Sequence, residues 1–371
     1  MRAVGYFKPG FSITHEDALR DLDVPDPPAP GGRDLLVRVH AVSVNPRDIK
    51  SRRVFEGTPD RPVILGYDAS GIVEAIGPEA VLFQPGDPVF YAGVLNRPGS
   101  NAELQLVDER IVGRKPVSLD HATSASLPLT ALTAYEMLFD RLGVPRGQAA
   151  GVGDAILILG GAGGVPSIAI QLARALTGLT VVATASRPES ERWVRALGAQ
   201  YVVNHSKPLK AGIEALELQK ALRYVFSTHT DAQSWADIAG VIAPQGRFGL
   251  IDDPEPLDLR LMKMKSVSIH WEAMFTRPMF GTGDMVRQHE ILTEVAGLVD
   301  AGVLKATAAL NVGVINAATL SGKPTLTDSA GRGLHHFVTI CADHGAVPPR
   351  GHLIPAALAP DLWGIPKLLW M

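Results

Sequence analysis

The chain has 371 residues, 46% of them apolar and 20% charged, with a formal net charge of −3 and a single cysteine, Cys341. That length exceeds what one hydrophobic core usually serves, so two domains are expected, and the composition argues against extended disorder. The near-neutral balance without a Lys/Arg cluster gives no footprint for nucleic acid or anionic membrane, and one cysteine excludes a disulfide framework or a multi-thiolate metal site within the chain.

Met1 to Gly10 carries Lys8 and Pro9 where a secretory signal needs an apolar run, and no later stretch approaches ~20 uninterrupted apolar residues, so a cytoplasmic protein is expected. From Leu35 to about Val107 short strand-like runs, Leu36 to Val42, Gly71 to Ile76 and Pro88 to Tyr91, are punctuated by Gly and Pro, which predicts an irregular β domain. Leu129, Leu132, Tyr135, Leu138 and Leu142 recur at helical spacing before Gly143 and Pro145, which predicts a helix linking two domains.

Beyond Gly153 short apolar runs alternate with amphipathic stretches. Strands are predicted over Ala155 to Leu159, Thr180 to Ala185, Tyr224 to Ser227 and Arg247 to Ile251, with helices over Ser167 to Leu176, Glu189 to Leu197 and Trp235 to Ile242. Such alternation predicts a doubly wound parallel sheet covered by helices. Val267 to His270 and a helix from Asp284 to Ala301 are expected to return to the first domain.

Gly160-Gly161-Ala162-Gly163-Gly164-Val165-Pro166 joins a predicted strand to a predicted helix, where glycines permit close approach to a pyrophosphate and the helix N-terminus offers N–H donors. Gly161, Ala162, Gly163, Gly164 and Val165 are the candidate cofactor residues. Pro166 stands where Gly or Ala normally lets the helix pack closely, so weakened cofactor affinity is expected. The next strand ends Ala185-Ser186-Arg187 without the carboxylate that would hold a ribose 2′-OH, and Ser186 with Arg187 suits a 2′-phosphate, so NADPH is the expected cofactor. The bland alternative for Arg187 is a solvated loop residue ahead of Glu189 and Glu191.

Asn45 to Lys50, Leu65 to Glu74, Gly86 to Phe90, Ser126 to Thr130 and Gly160 to Val165 occur in the order found in the medium-chain dehydrogenases/reductases. Over roughly residues 1 to 320 the chain resembles that superfamily, and most closely its zinc-type alcohol dehydrogenase-like members in the quinone oxidoreductase branch. The resemblance implies an α/β protein: a GroES-like catalytic domain over 1–128, a Rossmann domain over 129–266, a return to the catalytic domain over 267–320, a homodimer, and an active cleft between the domains. It also places Asn204, His205, Ser227, Thr228, Leu250 and Ile251 at strand ends against the cofactor. Phe275 is assigned either beside the nicotinamide or to the core.

Zinc-dependent relatives use a cysteine, a histidine and a further cysteine or acid. Here Asn45 to Asp48 and Tyr67 stand in those regions, and the eleven histidines are scattered, so no metal site is expected. Without a Lewis acid, conjugated acceptors suit better than simple alcohols, because hydride addition gives a delocalised anion that needs only donors. Asn45 and Lys50 are expected near the acceptor oxygen, Asp48 orienting Lys50 or a water, and Tyr67 as donor, with Tyr91 a weaker candidate. A turn at Asn45-Pro46, a solvated Lys50 and a core Tyr67 are the structural alternatives. The expected activity is zinc-independent hydride transfer from NADPH to a small-molecule quinone or α,β-unsaturated carbonyl. An NADPH-binding protein without significant catalysis is the second possibility, and a zinc-dependent alcohol dehydrogenase the third.

The stretch 321–371, rich in Pro, Gly and His with Trp363 and Trp370 near its end, does not resemble the family's closing helix and strand. A one-nucleotide offset converts suitable codons for Ser321-Gly322-Lys323-Pro324-Thr325 into a family-like Leu-Arg-Lys-Ala-His. A frameshifted tail is therefore expected, with loss of a catalytic-domain strand and exposure of a sheet edge.

Overall fold

The computed structural model describes residues 1–13, 15–307, 310–321 and 338–341. The chain divides into two units, one comprising Met1–Leu129, Phe275–Gly302 and the described residues from Ala306 onward, the other Thr130–Met274 and Val303–Lys305.

The first unit begins with β1 (Arg2–Tyr6), β2 (Arg20–Asp23), β3 (Asp34–Val44), α1 (Pro46–Arg52), β4 (Val63–Ile64), β5 (Asp68–Ile76), β6 (Pro88–Tyr91), β7 (Leu104–Asp108), β8 (Val112–Arg114) and α2 (His121–Ser124). Alternating apolar residues on β3 bury Leu35, Val37 and Val39 against Val73, Val89, Val107 and Val112, which makes this strand the spine of the unit's core. β5 pairs antiparallel along one edge of β3, and β7 takes the first half of the other edge. α3 (Pro128–Tyr135) continues into a π-helical turn, Glu136–Arg141, so the predicted helix from Leu127 to Leu142 is present with a change of winding.

The second unit contains β9 (Ala155–Ile158), α4 (Gly164–Leu176), β10 (Thr180–Thr184), α5 (Pro188–Ala196), β11 (Tyr201–Val203), α6 (Leu209–Glu214), β12 (Leu222–Ser227), α7 (Ala232–Val241), β13 (Arg247–Leu250), α8 (Arg260–Lys263) and β14 (Ser268–Trp271). All six strands are parallel, in the order β11-β10-β9-β12-β13-β14. This is the doubly wound Rossmann order, with its switch point between β9 and β12. Burial on both faces explains why these strands read as continuous apolar runs; β11, a three-residue edge strand with Tyr201 exposed, gave no such run.

Two expectations require correction. The stretch Val267 to His270 does not rejoin the first unit: β14 pairs with β13 from Arg247↔Ser268 to Leu250↔Trp271, and Val267 and Ile269 pack on the second unit's core. The return starts at Phe275, followed by α9 (Thr276–Phe280), α10 (Arg287–Asp300), β15 (Leu310–Val314), α11 (Ala317–Leu320) and β16 (Val338–Cys341). Secondly, the tail does supply a strand. β16 pairs antiparallel with the second half of β3, from Val338↔Val44 to Cys341↔Ala41, so backbone pairing covers the edge expected to be bare. The remainder of 321–371, apart from Ser321, lies outside the described residues, including Trp363 and Trp370. Among the described residues no helix is long and apolar enough to cross a membrane.

Candidate active site

Asn45 has extended backbone (φ −118°, ψ 160°) and Pro46, whose ring presets the helical φ, opens α1 behind it. The Asn45 backbone N–H donates to Asp48 Oδ2 at 2.8 Å, and the Asn45 side-chain Nδ2 donates to Asp68 Oδ2 at 2.7 Å. The other oxygen of Asp68 accepts the backbone N–H of Leu129 at 2.7 Å. Asn45, Asp48 and Asp68 are all buried. Gly66, at φ +102°, lets the chain pass this point, since a Cβ there would stand 2.6 Å from both Ser100 Oγ and Asn101 Oδ1.

Tyr67 is 3% exposed, and its hydroxyl lies 2.6 Å from Ser51 Oγ. Its ring packs at 5.0 Å on Phe275, over which the Arg47 guanidinium sits at 6.0 Å. Arg47 and Ser51 are four apart on α1 and therefore share a helix face.

Burial dominates the electrostatics. It pushes the Asp48 carboxyl up to about 7 against the opposing N–H groups of Asn45 and Gly66 and the charge of Arg47. Asp68 is raised well above the carboxylate range by burial, with its bonds to Asn45 and Leu129 opposing and Asp48 adding. Burial also raises Tyr67, against the bond to Ser51. A partly protonated Asp48 at pH 7 follows.

These contacts revise the expected roles. Asp48 turns back to the N–H of Asn45, and Lys50, two residues further on, points to a different face of the helix. Asn45 spends its amide N–H on Asp68. Tyr91 is a core residue, fully buried, whose hydroxyl donates to Gln105 Oε1 at 2.9 Å and whose pKa burial raises. Lys50 is half-buried in the last turn of α1. The motifs Asn45 to Lys50 and Leu65 to Glu74 contain Arg47 and Asp68, to which the sequence assigned no role, and stop short of Ser51; the four-residue spacing of Arg47 and Ser51 was the available signal for that pair.

In the second unit the glycine turn follows β9 at the switch point. Gly160 N–H donates to Thr184 Oγ1 at 2.9 Å and Gly161 N–H to the Thr184 carbonyl at 3.0 Å, which ties the turn to the end of β10. A Cβ on Gly161 would approach that carbonyl to 2.9 Å and Val194 Cγ1 to 3.0 Å, so this glycine is required by packing. Gly163 caps α4, whose first intrahelical bond runs from Ser167 N–H to the Gly163 carbonyl. The N–H groups of Gly164 and Val165 lie ahead of that bond, without an acceptor among the described residues, beside the buried Ala162. Pro166 is buried at the third helical position, where it contributes no N–H.

Ser186 and Arg187 are half-buried between β10 and α5, and Arg187 forms the N-cap position of α5. Glu189 and Glu191 pair with Arg192 at 3.3 Å and Arg195 at 2.8 Å. Desolvation, then the charge of Arg187, lowers the pKa of His205, which brings these two expected residues together. Asn204 Oδ1 accepts the N–H of Ser206 in a local turn. Thr228 reaches from the end of β12 to the Leu159 carbonyl at 3.2 Å, across the switch point. Ser227 Oγ donates to the His229 carbonyl and lies 2.8 Å from Thr230 Oγ1. The Leu250 side chain belongs to the buried core, and Phe275 belongs to the first unit beside Tyr67. Ile251, half-buried, donates its N–H to Ser227.

A further buried cluster was not foreseen. Arg141 Nε meets Glu272 Oε2 at 2.7 Å and its Nη2 stands 3.6 Å from Glu136 Oε2. Burial, then the neighbouring Glu136 carboxyl, raises Glu272.

The zinc-binding dehydrogenase family matches residues 164–285 and the alcohol dehydrogenase GroES-like domain matches 31–116. A zinc-type alcohol dehydrogenase-like protein of Staphylococcus aureus is 40% identical over 303 residues, covering 81% of this chain and 89% of that protein. The chain belongs to the medium-chain dehydrogenase/reductase superfamily. A crystal structure of a protein from Rhizobium etli CFN 42, provisionally described as a zinc-dependent alcohol dehydrogenase, is 54% identical with a TM-score of 0.84, covering 92% of this chain and 98% of that one. The 2-methylene-furan-3-one reductase of Solanum lycopersicum is 36% identical over 181 residues, or 47% of this chain and 45% of that protein.

This superfamily includes zinc and nicotinamide enzymes, and the residues here answer differently to each. For zinc the donor set does not fit: Asn45 and Tyr67 occupy the ligand regions, Asp68 is committed to Asn45 and Leu129, and no group of three or more His, Cys, Asp or Glu able to hold a metal occurs among the described residues. For a dinucleotide the glycine turn and the first N–H groups of α4 do fit.

Proposed function

We propose that this oxidoreductase is a zinc-independent reductase that uses NADPH and acts on quinones or α,β-unsaturated carbonyls. The carrying observation is the turn Gly160–Val165 at the switch point, held by Thr184 and presenting the N–H groups of Gly164 and Val165. Arg187 and Ser186, followed by His205, supply positive and hydroxyl groups where an NAD site would carry a carboxylate, which favours the 2′-phosphate. Bound there, NADPH supplies a hydride.

Conjugated acceptors suit the polar groups of the first unit. An enone or quinone spreads the charge it receives, so hydrogen-bond donors replace a Lewis acid. Tyr67, held by Ser51, and Lys50 are the donors in this assignment, while Asn45, Asp48 and Asp68 hold α1 and Tyr67 in place. The likeness to a 2-methylene-furan-3-one reductase supports an acceptor of this class.

The test is NADPH and NADH oxidation side by side with enones, quinones and simple aldehydes. Turnover confined to conjugated acceptors and insensitive to chelators is expected. Arg187→Met is expected to weaken NADPH binding about 10–100-fold while leaving NADH unchanged, because a charged hydrogen bond contributes about 1.5–3 kcal/mol. Pro166 favours one second reading, a binding protein with little catalysis; saturable NADPH binding without turnover on any acceptor selects it.

A further inference from the structure

The first turn of α1 contains a cation that the fold leaves incompletely satisfied. Arg47 Nε is buried without a hydrogen-bond partner, and no carboxylate among the described residues lies within ion-pair distance of the guanidinium. The nearest acid in sequence, Asp48, gives one oxygen to the Asn45 N–H and leaves the other without a partner. Phe275 supports the guanidinium from one side, and Tyr67, anchored by Ser51, stands beside the same ring. The guanidinium is half-buried, its charge acts on Asp48 and it bonds the Tyr67 side chain, so what is left over is the single buried Nε N–H, and an unmet buried donor calls for an external partner.

We infer that Arg47 is the receptor for the negative charge that develops on the acceptor's carbonyl oxygen. This rests on the reductase assignment above. Hydride addition at the β-carbon of an enone breaks the C=C π bond and moves its electron pair onto oxygen as an enolate. The α-carbon then takes a proton from solvent, which leaves the saturated ketone and NADP⁺. An enolate oxygen needs donors already in position, since donors fixed before reaction cost no reorganisation when charge appears. The Nε N–H of Arg47 and the Tyr67 hydroxyl belong to one packed group: Arg47 and Ser51 share a face of α1, and Ser51 fixes Tyr67. A guanidinium also keeps its charge at every working pH, whereas a buried ammonium can lose it.

The test uses the full chain and the variants Arg47→Met and Arg47→Lys. The first readout is equilibrium binding of 4-nitrophenolate, an unreactive enolate mimic, in the presence of NADP⁺. Arg47→Met is expected to weaken it at least 10-fold, with Arg47→Lys intermediate and still informative if the methionine variant fails to fold. The second is steady-state reduction of a neutral enone, where Arg47→Met is expected to lose about 100-fold in kcat, the usual effect of removing one oxyanion donor, with NADPH affinity unchanged. Wild-type phenolate binding and wild-type kcat in Arg47→Met overturn the proposal. So does a defect confined to the KM of carboxylate-bearing acceptors, which makes Arg47 a ground-state anchor. If wild-type protein reduces no acceptor yet binds phenolate through Arg47, the anion receptor stands and the reductase assignment falls.

Discussion

Asn45 and Asp68 meet across 2.7 Å inside the first unit, the amide of one closing the carboxyl of the other. Burial pushes the Asp68 carboxyl up while the donors from Asn45 and Leu129 oppose that shift, so these two hydrogen bonds offset part of the cost of enclosing it. Asp68→Asn should cost only about 1 kcal/mol, because a reoriented Asn45 can offer its partnerless Oδ1 to the new amide. Asp68→Ala strands two buried donors, Asn45 Nδ2 and the Leu129 N–H, and should cost about 2–4 kcal/mol. Chemical denaturation of both variants decides; equal losses would show that an amide at this position does not satisfy the two donors.

Asp48 should make stability fall as pH rises. Its folded pKa is raised from 3.8 to about 7, so the native state holds a proton that the unfolded chain releases. The contribution is complete below about pH 4 and lost by about pH 7. His121, held down to about 4 by burial and then by His40, works in the opposite direction, losing stability as pH falls below 6.5. Subtracting the Asp48→Asn stability profile from the wild-type profile isolates the first effect, and a flat difference between pH 4 and 7 would refute it.

Arg141 bridges two buried carboxyls, Glu136 and Glu272. Arg141→Met should destabilise the protein by about 1–3 kcal/mol, since it takes the hydrogen-bond partner from the buried Glu272 carboxyl, which is already pushed up to about 9. Adding Glu272→Gln should recover part of that loss. Denaturation midpoints of the single and double variants measure the coupling, and strict additivity would exclude it.

Tyr67 and Tyr91 separate a site residue from a core residue. Both hydroxyls are buried and hydrogen-bonded, that of Tyr67 beside Ser51 and that of Tyr91 to Gln105, so each Tyr→Phe change should cost about 1 kcal/mol of stability. Only Tyr67→Phe should lower turnover with an enone. Equal turnover in the two variants would remove Tyr67 from the chemistry.

Pro166 withholds an N–H from the first turn of α4. Pro166→Gly should tighten NADPH binding several-fold while costing about 1 kcal/mol of stability, because glycine is entropically unfavourable in a helix. Calorimetric titration measures the first and thermal unfolding the second; an unchanged affinity would mean that this N–H is irrelevant to the phosphates.

Local chemistry alone determined the Rossmann unit: apolar runs of strand length, a glycine turn between strand and helix, and the missing carboxylate before Arg187 are properties of neighbouring residues. The motif order from Asn45 to Gly164 likewise carried the family, and Tyr67 at a histidine's position carried the doubt about zinc. Only tertiary structure decided which polar groups meet. Whether β14 joins one sheet or the other depends on pairing with β13, a strand separated from it by a helix, and four residues of the tail reach β3 from almost three hundred positions away. Asp68 becomes the buried partner of Asn45, Tyr91 sinks into the core, and Arg47 is left with an unmet donor because burial and hydrogen bonding depend on what packs from distant segments, which spacing along the chain does not encode.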